Sequence, residues 1–285
     1  MAQAFYDLMA QMRPRLHRYC TRMVGSAFDG EDVLQEAMAK AAEAWTDEVE
    51  RPESWLFAIA HNTALDTLRR NRRQAGRRSE ADISSLPDGA ATADARVAAT
   101  ASLATLMRLP SAQRSCVVLM DVLGHSAAET VEILGVSLPA VKAALHRGRA
   151  RLQVLAQAPD APAPRLDPDE RARLQAYADR FNARDFDALR ALLAQDVRLD
   201  LANRVKLAGA ANVAVYFGRY AERPPWQVSV GFAEGCPALL FRDPADATRA
   251  VAHVVLLGWR DGQITAIRDF FYAPYVAEAL EVAED

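Results

Sequence analysis

The stretch Ser126–Leu152, SAAETVEILGVSLPAVKAALHRGRARL, decides how the chain is read. It reads as two short helices joined by a tight turn. Ser126 and Glu129 stand in the S-x-x-E spacing of a capping box, so the first helix carries its own start signal. Gly135 falls where a helix ends in the left-handed region, and Val136 is the apolar residue that packs back over such an end. Ser137 then caps a second helix, with Pro139 in its first turn, where a missing N–H costs little. On that helix Val141, Leu145 and Leu152 form one apolar stripe, and Gly148 between them permits close packing. Lys142, His146, Arg147, Arg149 and Arg151 lie away from the stripe. A short helix packed on a second one with a basic outward face is the layout of a helix-turn-helix and its recognition helix. The plainer alternative is a helical hairpin whose basic face is merely solvated, and the residues upstream bear on that choice.

A chain of 285 residues has room for two or three compact units. At 51% hydrophobic and 25% charged it can bury ordinary cores without disulfides. The net charge of −3 does not mark the whole chain as a nucleic-acid binder, so any DNA contact must come from local patches. Two exist, at Arg69–Arg78 and Lys142–Arg151. Cys20, Cys116 and Cys236 are odd in number and far apart in apolar surroundings, which fits reduced core thiols better than disulfides or zinc ligands. No metal or cofactor is expected. No apolar run is long enough to span a bilayer and Met1–Phe5 lacks a secretory pattern, so a cytoplasmic location without membrane contact is expected.

From Phe5 the apolar positions Leu8, Met9, Met12, Leu16, Tyr19, Cys20 and Met23 recur at helical intervals, and Gly25 closes that helix. Asp29 is placed to cap a second helix, with Val33, Leu34, Ala37, Met38, Ala41 and Trp45 buried. Asp32, Gln35, Glu36 and Glu43 line its other side, a wet surface or a docking face for a basic partner. Pro52 opens a third helix, anchored by Trp55, Leu56, Ile59 and Leu68, that ends in the cationic run LRRNRRQAGRR. Such a run holds phosphates at a salt-dependent cost. Asn62 and Asp66 lie one turn apart on the helix leading into it, and an asparagine can read a base edge or simply face water.

The segment DGEDVLQEAMAKAAEAW, followed by ESWLFAIAHNTALDTLRRNRR, closely resembles region 2 of sigma factors of the extracytoplasmic-function type. The helix-turn-helix, with LPSAQRSCVVLMDVLG before it, resembles their region 4. The two occur in the right order with the right kind of spacer. The resemblance implies roles by position. Asp32, Gln35 and Glu36 match the face that docks on the clamp helices of the large subunit of core RNA polymerase. Asn62 matches a residue that helps hold a base flipped out of the minus-ten promoter element, with the loop Thr46–Arg51 as the other wall. Arg69, Arg70, Arg72 and Arg73 match the strand-binding basic segment, with Asp66 beside them. Ser137, Lys142, His146, Arg147 and Arg149 match the minus-thirty-five contact. Base extrusion spends a few kcal/mol of stacking, which the pocket must return, and needs no covalent chemistry. The loop TDEVERP lacks the Phe-Arg-Gly pattern common in the family, which leaves the captured base open. Ala140, Ala143 and Ala144 replace larger polar residues on the recognition helix, so phosphate contacts carry more of the affinity.

The expected organisation is multidomain: two all-α domains at 1–75 and 101–155, a polar linker at 76–100, a Pro/Ala-rich tether at 156–167 and an α+β domain at 168–285. In sigma factors the corresponding linker threads the polymerase's nucleic-acid channel. In the last domain Asp167, Pro168 and Glu170 start a helix with Leu174, Tyr177, Ala178 and Phe181 on one face, and a short helix Phe186–Leu193 follows. From Val197 the period changes, with alternation at Val228–Phe232, Val251–Trp259 and Ile264–Tyr272 and a hairpin signal at Asp261–Gly262. A curved antiparallel sheet is expected.

That order, with NARDFDALRALLAQDVRLDL at its start and GWRDGQITAIRDFF near its end, resembles the SnoaL-like cone shared with nuclear transport factor and small polyketide cyclases. Joined to a sigma factor, such a cone is implied to modulate the sigma domains by an intramolecular contact. The chain has APAPRLDP and LANRVKLAG where the best-known subgroup carries a WLP linker motif and a DGGGK loop. His253, Trp259 and Arg268 are the candidate ligand-pocket residues, with His253 and Arg268 on the concave side. Adjacent Arg268 and Asp269 point to opposite faces of their strand, so at most one of them is inside. The expectation is a transcription initiation factor with no catalytic residues. The alternatives are a cone enzyme or ligand-binding protein with a DNA-docking half, and an ordinary helix-turn-helix repressor.

Overall fold

The computed structural model describes residues 2–46, 48–74, 101–155, 166–280 and 282–284. The expected linker at 76–100 and nearly all of the tether at 156–167 lie outside the described residues. The backbone divides into two compact units, Met1–Asp160 and Ala161–Asp285.

In the first unit, α1 (Ala2–Val24) buries Phe5, Met12, Leu16, Tyr19, Cys20 and Met23 at the spacing of one helical face. It stops at Gly25, whose φ of 86° suits a residue without a side chain. Helix α2 (Ala27–Ala44) is capped by Ser26 and not by Asp29. Ser26 is the residue with extended backbone, and its hydroxyl accepts the amides of Phe28 and Asp29. Asp29 lies inside the first turn, where its charge favours the helix's positive end. Helix α3 (Pro52–Gln74) begins at the proline, as expected.

Helices α4 (Leu103–Met107) and α5 (Ser111–Val117) precede a π-helical turn, Val118–Val122. Helices α6 (Ala127–Leu134) and α7 (Leu138–Leu155) form the helix-turn-helix. Ser126 and Glu129 make both hydrogen bonds of the capping box, and Gly135 adopts φ 66°. Leu106, Val117, Val141, Leu145 and Leu152 share one small core. Gly148 sits where a Cβ would lie 2.7 Å from Val117 Cγ2, so glycine is what lets α7 approach α5.

The two helical modules pack together within this unit. A Cβ on Gly25 would meet Met107 Cγ at 2.4 Å. Phe57 of α3 meets the His125 ring edge to face at 4.6 Å, and Arg51 pairs with Glu132 of α6. Arg114 is buried and sets Nη1 against Met107 Sδ at 2.8 Å.

The second unit begins with α8 (Pro168–Asn182), capped by Asp167, and α9 (Phe186–Ala191). Strands β1 (Leu193–Leu201) and β2 (Val205–Ala208) form a hairpin, after which α10 (Ala210–Ala221) crosses to the far part of the sheet. There β3 (Gln227–Ala233), β4 (Cys236–Arg242), β5 (Val251–Arg260) and β6 (Gln263–Asp269) run back as a meander. Helix α11 (Pro274–Ala279) and the edge strand β7 (Val282–Glu284) close the unit. The strand order is β2-β1-β6-β5-β4-β3-β7.

The sheet is not wholly antiparallel, since β1 pairs with β6 in parallel. The crossover through α10 reverses the direction in which the meander returns to β1. The Asp261–Gly262 hairpin forms as expected, with φ of 51° and 76° at its two central residues. Helices α8 and α10 cover the concave face, burying Leu174, Tyr177, Phe181, Val213 and Phe217 against Val230, Phe241, Val255 and Ile267.

Of the three cysteines, Cys20 and Cys116 are buried, whereas Cys236 is exposed because it opens β4 directly after a turn. No helix among the described residues is long and apolar enough to cross a membrane.

Candidate functional site

The outer side of α2 presents Asp32 exposed and Gln35 and Glu36 half-buried. Gln35 Nε2 donates to Glu31 Oε1 at 3.1 Å, and Arg13 stands 3.5 Å from that buried carboxylate. Glu36 lies between two cations, Lys40 Nζ and Arg70 Nη2, each at 2.8 Å. The hydrogen bonds from Lys40 and then Arg70 hold its carboxyl below the usual range.

On α3, Asn62, Asp66, Arg69 and Arg73 follow at intervals of four, three and four, so they share one face, and all four are exposed. Arg69 reaches back to Asp66 at 3.1 Å. Arg70 turns instead toward α2, and Arg72 is exposed beside Arg73. Behind Asn62, His61 is buried with Nδ1 2.7 Å from the Tyr19 hydroxyl. Burial, with Arg69 adding to it, lowers the His61 pKa to about 4.

On α7 the structure sorts the expected basic residues. Ser137, Lys142, His146 and Arg147 are exposed, and the Ser137 hydroxyl accepts the Ala140 amide at 3.4 Å. Arg149 is different. It grips Asp121 of the π-helical turn with two nitrogens, and Asp121 is almost wholly buried. The pair raises the Arg149 pKa and holds α7 to the body of the unit, at the edge of the basic face.

In the second unit the register corrects one expectation. Asp269 pairs with Val255 and Arg268 with Leu256, so Asp269 shares the concave face with His253 and Arg268 does not. Arg268 stands on the other side, 4.0 Å from Asp200 and with its guanidinium 5.1 Å from the Phe270 ring centre. Trp259 packs against the core past a bulge at Gly258, away from His253.

What the concave face does assemble is a chain of buried polar groups. Tyr216 and Tyr220 donate to Asp269 Oδ2 at 2.9 and 2.7 Å, and the Phe271 amide donates to Oδ1 at 2.8 Å. The Tyr220 hydroxyl is 3.1 Å from His253 Nε2. Burial lowers the His253 pKa to about 4, against the opposing pull of Asp269. The same burial, with Asp269 beside them, pushes both tyrosines well above their usual range. The sequence carried a signal for these tyrosines: Val213, Tyr216, Phe217 and Tyr220 repeat at helical spacing. Among the described residues there is no cluster of three or more metal-ligating side chains.

Comparison with known proteins fits the helical unit. The family model for Sigma-70 region 2 matches residues 8–74, and that for Sigma-70, region 4, matches residues 102–152. The ECF RNA polymerase sigma factor SigM of Mycobacterium tuberculosis is 35% identical over 152 residues, which span 52% of this chain and 75% of SigM. ShbA of Streptomyces griseus, also an ECF RNA polymerase sigma factor, is 33% identical over 55% of this chain and 89% of its own length. The probable ECF RNA polymerase sigma factor SigI of M. tuberculosis is 27% identical across 86% of both chains. Among solved structures, the M. tuberculosis extracytoplasmic function sigma factor SigJ aligns with 93% of this chain and 95% of its own, at 22% identity and a TM-score of 0.37. A putative polyketide cyclase from Xanthomonas campestris aligns with 39% of this chain and 98% of its own, at 24% identity and a TM-score of 0.27. With both sigma-70 regions in order, and 35% identity to SigM over three-quarters of that protein, the chain belongs to the ECF RNA polymerase sigma factors, a family of transcription initiation factors.

Proposed function

We propose that the helical unit joins core RNA polymerase to promoter DNA through two faces of opposite charge, and that the unit Ala161–Asp285 regulates it in cis. Asp32, Gln35 and Glu36 dock on the basic clamp helices of the large polymerase subunit. Asn62, with the loop at 46–51, holds the extruded minus-ten base. Arg69, Arg72 and Arg73 grip the strand that carries it, joined by Arg70 when it leaves Glu36. Lys142, His146 and Arg147 contact minus-thirty-five phosphates, which makes that contact salt-sensitive. Arg149 supports the helix from behind.

The observation that carries the reading is the exposed line Asn62, Asp66, Arg69 and Arg73 on one face of α3, beside an acidic face on α2. A hydrogen-bonding reader and phosphate-binding cations in one row suit an opened strand better than an intact duplex. In this reading the chain performs no covalent chemistry and works in the cytoplasm, where polymerase is.

Transcription in vitro with core polymerase tests both halves. The full chain and a chain ending at residue 160 are compared on one promoter. Both are expected to support initiation, at different rates. Equal rates would refute regulation in cis, and no holoenzyme from either chain would refute the polymerase reading.

A further inference from the structure

The link between α6 and α7 and the first residues of α7 expose an apolar surface that the proposed phosphate contacts leave unused. Val136 and Leu138, on either side of Ser137, are each 42% exposed. Pro139 and Ala140 beside them are exposed as well. Val136 therefore does not close fully over the end of α6, as its place after Gly135 implies. The opposite face of α7 is used up, with Val141, Ala144, Leu145 and Leu152 buried in the core of the helix-turn-helix.

That surface shares its face with cations. Leu138, Lys142 and His146 follow one another at intervals of four, and Pro139 and Arg147 lie in the next row, all of them exposed. The face is apolar at its start and cationic beyond it, and no Asp or Glu stands anywhere on α7. A recognition helix turns its N-terminal residues to base edges, while cations position it on the phosphates. What those first residues can read follows from their chemistry. Cytosine needs a carboxylate acceptor and adenine an Asn or Gln fork. Neither stands near the start of α7, whose Gln153 lies toward its far end. Guanine needs an Arg or Lys, and none precedes Lys142 in the second turn. The Ser137 hydroxyl is engaged with the Ala140 amide at 3.4 Å. What is left is the C5-methyl group of thymine, which takes apolar contacts in the major groove.

We propose that Leu138, with Val136 beside it, packs on thymine methyl groups in the major groove of the minus-thirty-five element. That element is then specified by apolar contact as well as gripped at its phosphates. The proposal deepens the reading of α6 and α7 as the minus-thirty-five contact and rests on it. Each methyl that leaves water against Leu138 changes affinity about fourfold, the effect of burying one methyl-sized group. The charge of the row favours DNA over a protein as the occupant, because Lys142, His146 and Arg147 on the same face meet the phosphates that border the groove.

The test selects duplexes from a pool with about ten random base pairs, one helical turn, at the minus-thirty-five position. The full chain is used with core polymerase and, in parallel, alone. The selected duplexes are expected to fix thymine at one position or more. Replacing that thymine by deoxyuridine removes the methyl and nothing else, and should weaken binding about fourfold. Leu138→Ala, at an exposed position, should keep the melting temperature and bind the thymine and deoxyuridine duplexes equally. Val136→Ala should narrow the difference, whereas Lys142→Ala should weaken both duplexes alike. A parent chain indifferent to the methyl would overturn the proposal, as would a selected element of G·C pairs alone or no selection by either preparation. So would a Leu138→Ala chain that loses affinity for core polymerase when DNA is absent, because the patch would then dock a protein. Failure to form holoenzyme, with the chain alone still preferring the methyl-bearing duplex, would remove the polymerase reading and leave this one standing.

Discussion

Arg149 on α7 and Asp121 on the π-helical turn form a two-pronged ion pair, with Nε 2.9 Å from Oδ2. The carboxylate side chain is 2% exposed and the guanidinium 32%. Removing the arginine strands a buried charge, which costs far more than losing a surface contact. Arg149→Ala is therefore expected to destabilise the helical unit by about 1–3 kcal/mol, the penalty for an unsatisfied buried group. Lys142→Ala and Arg147→Ala, at exposed positions, should change stability by less than about 0.5 kcal/mol. Each should instead lower promoter affinity and reduce the salt slope by about one. Thermal melts beside salt-dependent DNA binding distinguish the two effects, and a stable Arg149→Ala protein with a reduced salt slope would return that residue to the DNA face.

Arg149 also marks the limit of what the chain's order reveals. A helical wheel puts it near Lys142 and His146, and its partner Asp121 is 28 residues away. Features settled by near neighbours were legible: the Ser126–Glu129 cap, the left-handed Gly135, the close approach at Gly148 and the Asp261–Gly262 turn. Features settled by register or crossover were not. Choosing Asp269 over Arg268 requires knowing that it faces Val255, and the parallel β1–β6 pair requires knowing where α10 carries the chain. The helix Ala210–Ala221 is a different case. Its spacing was visible, but it sits between two stretches of strand, where alternation draws the eye.

The Glu36–Arg70 pair joins the proposed docking face to the proposed strand-binding run. Both side chains are more than a third exposed, and pairs of that kind contribute about 0–1 kcal/mol. Glu36→Gln should therefore leave the melting temperature nearly unchanged. If the α2 face docks on polymerase, the same change lowers holoenzyme affinity several-fold. A competition assay for core polymerase reads this, and full affinity in Glu36→Gln would remove Glu36 from the interface.

Asp269 depends on both tyrosines. Tyr216→Phe and Tyr220→Phe each remove one donor from a carboxylate with no access to water, at about 1–3 kcal/mol apiece. Because both bond Oδ2, the two losses should not add. The double variant is expected to differ from the sum by at least about 0.5 kcal/mol in denaturant melts. Simple additivity would mean that the hydroxyls act independently of the carboxylate.

Four buried histidines, His17, His61, His125 and His253, weigh on the acid side of the stability curve, and in all four burial lowers the pKa. His17, His61 and His253 have pKa values lowered from 6.5 to about 4, chiefly by burial. The unfolded chain takes up these protons first as the pH falls below 6.5, while the folded chain stays neutral until about 4. Their contribution is thus complete above 6.5 and is lost on the way down to 4, by up to about 3 kcal/mol for each histidine. Carboxylates with lowered pKa values, such as Glu36, lose stability in the same direction, so the total slope alone does not isolate the histidines. His253→Gln does, because its amide can still donate to the Tyr220 hydroxyl while the proton site is gone. Between pH 6 and 4.5 the variant should take up about one proton fewer on unfolding than the parent. An unchanged slope would mean that His253 is already protonated in the folded cone, held so by Asp269 at 3.9 Å.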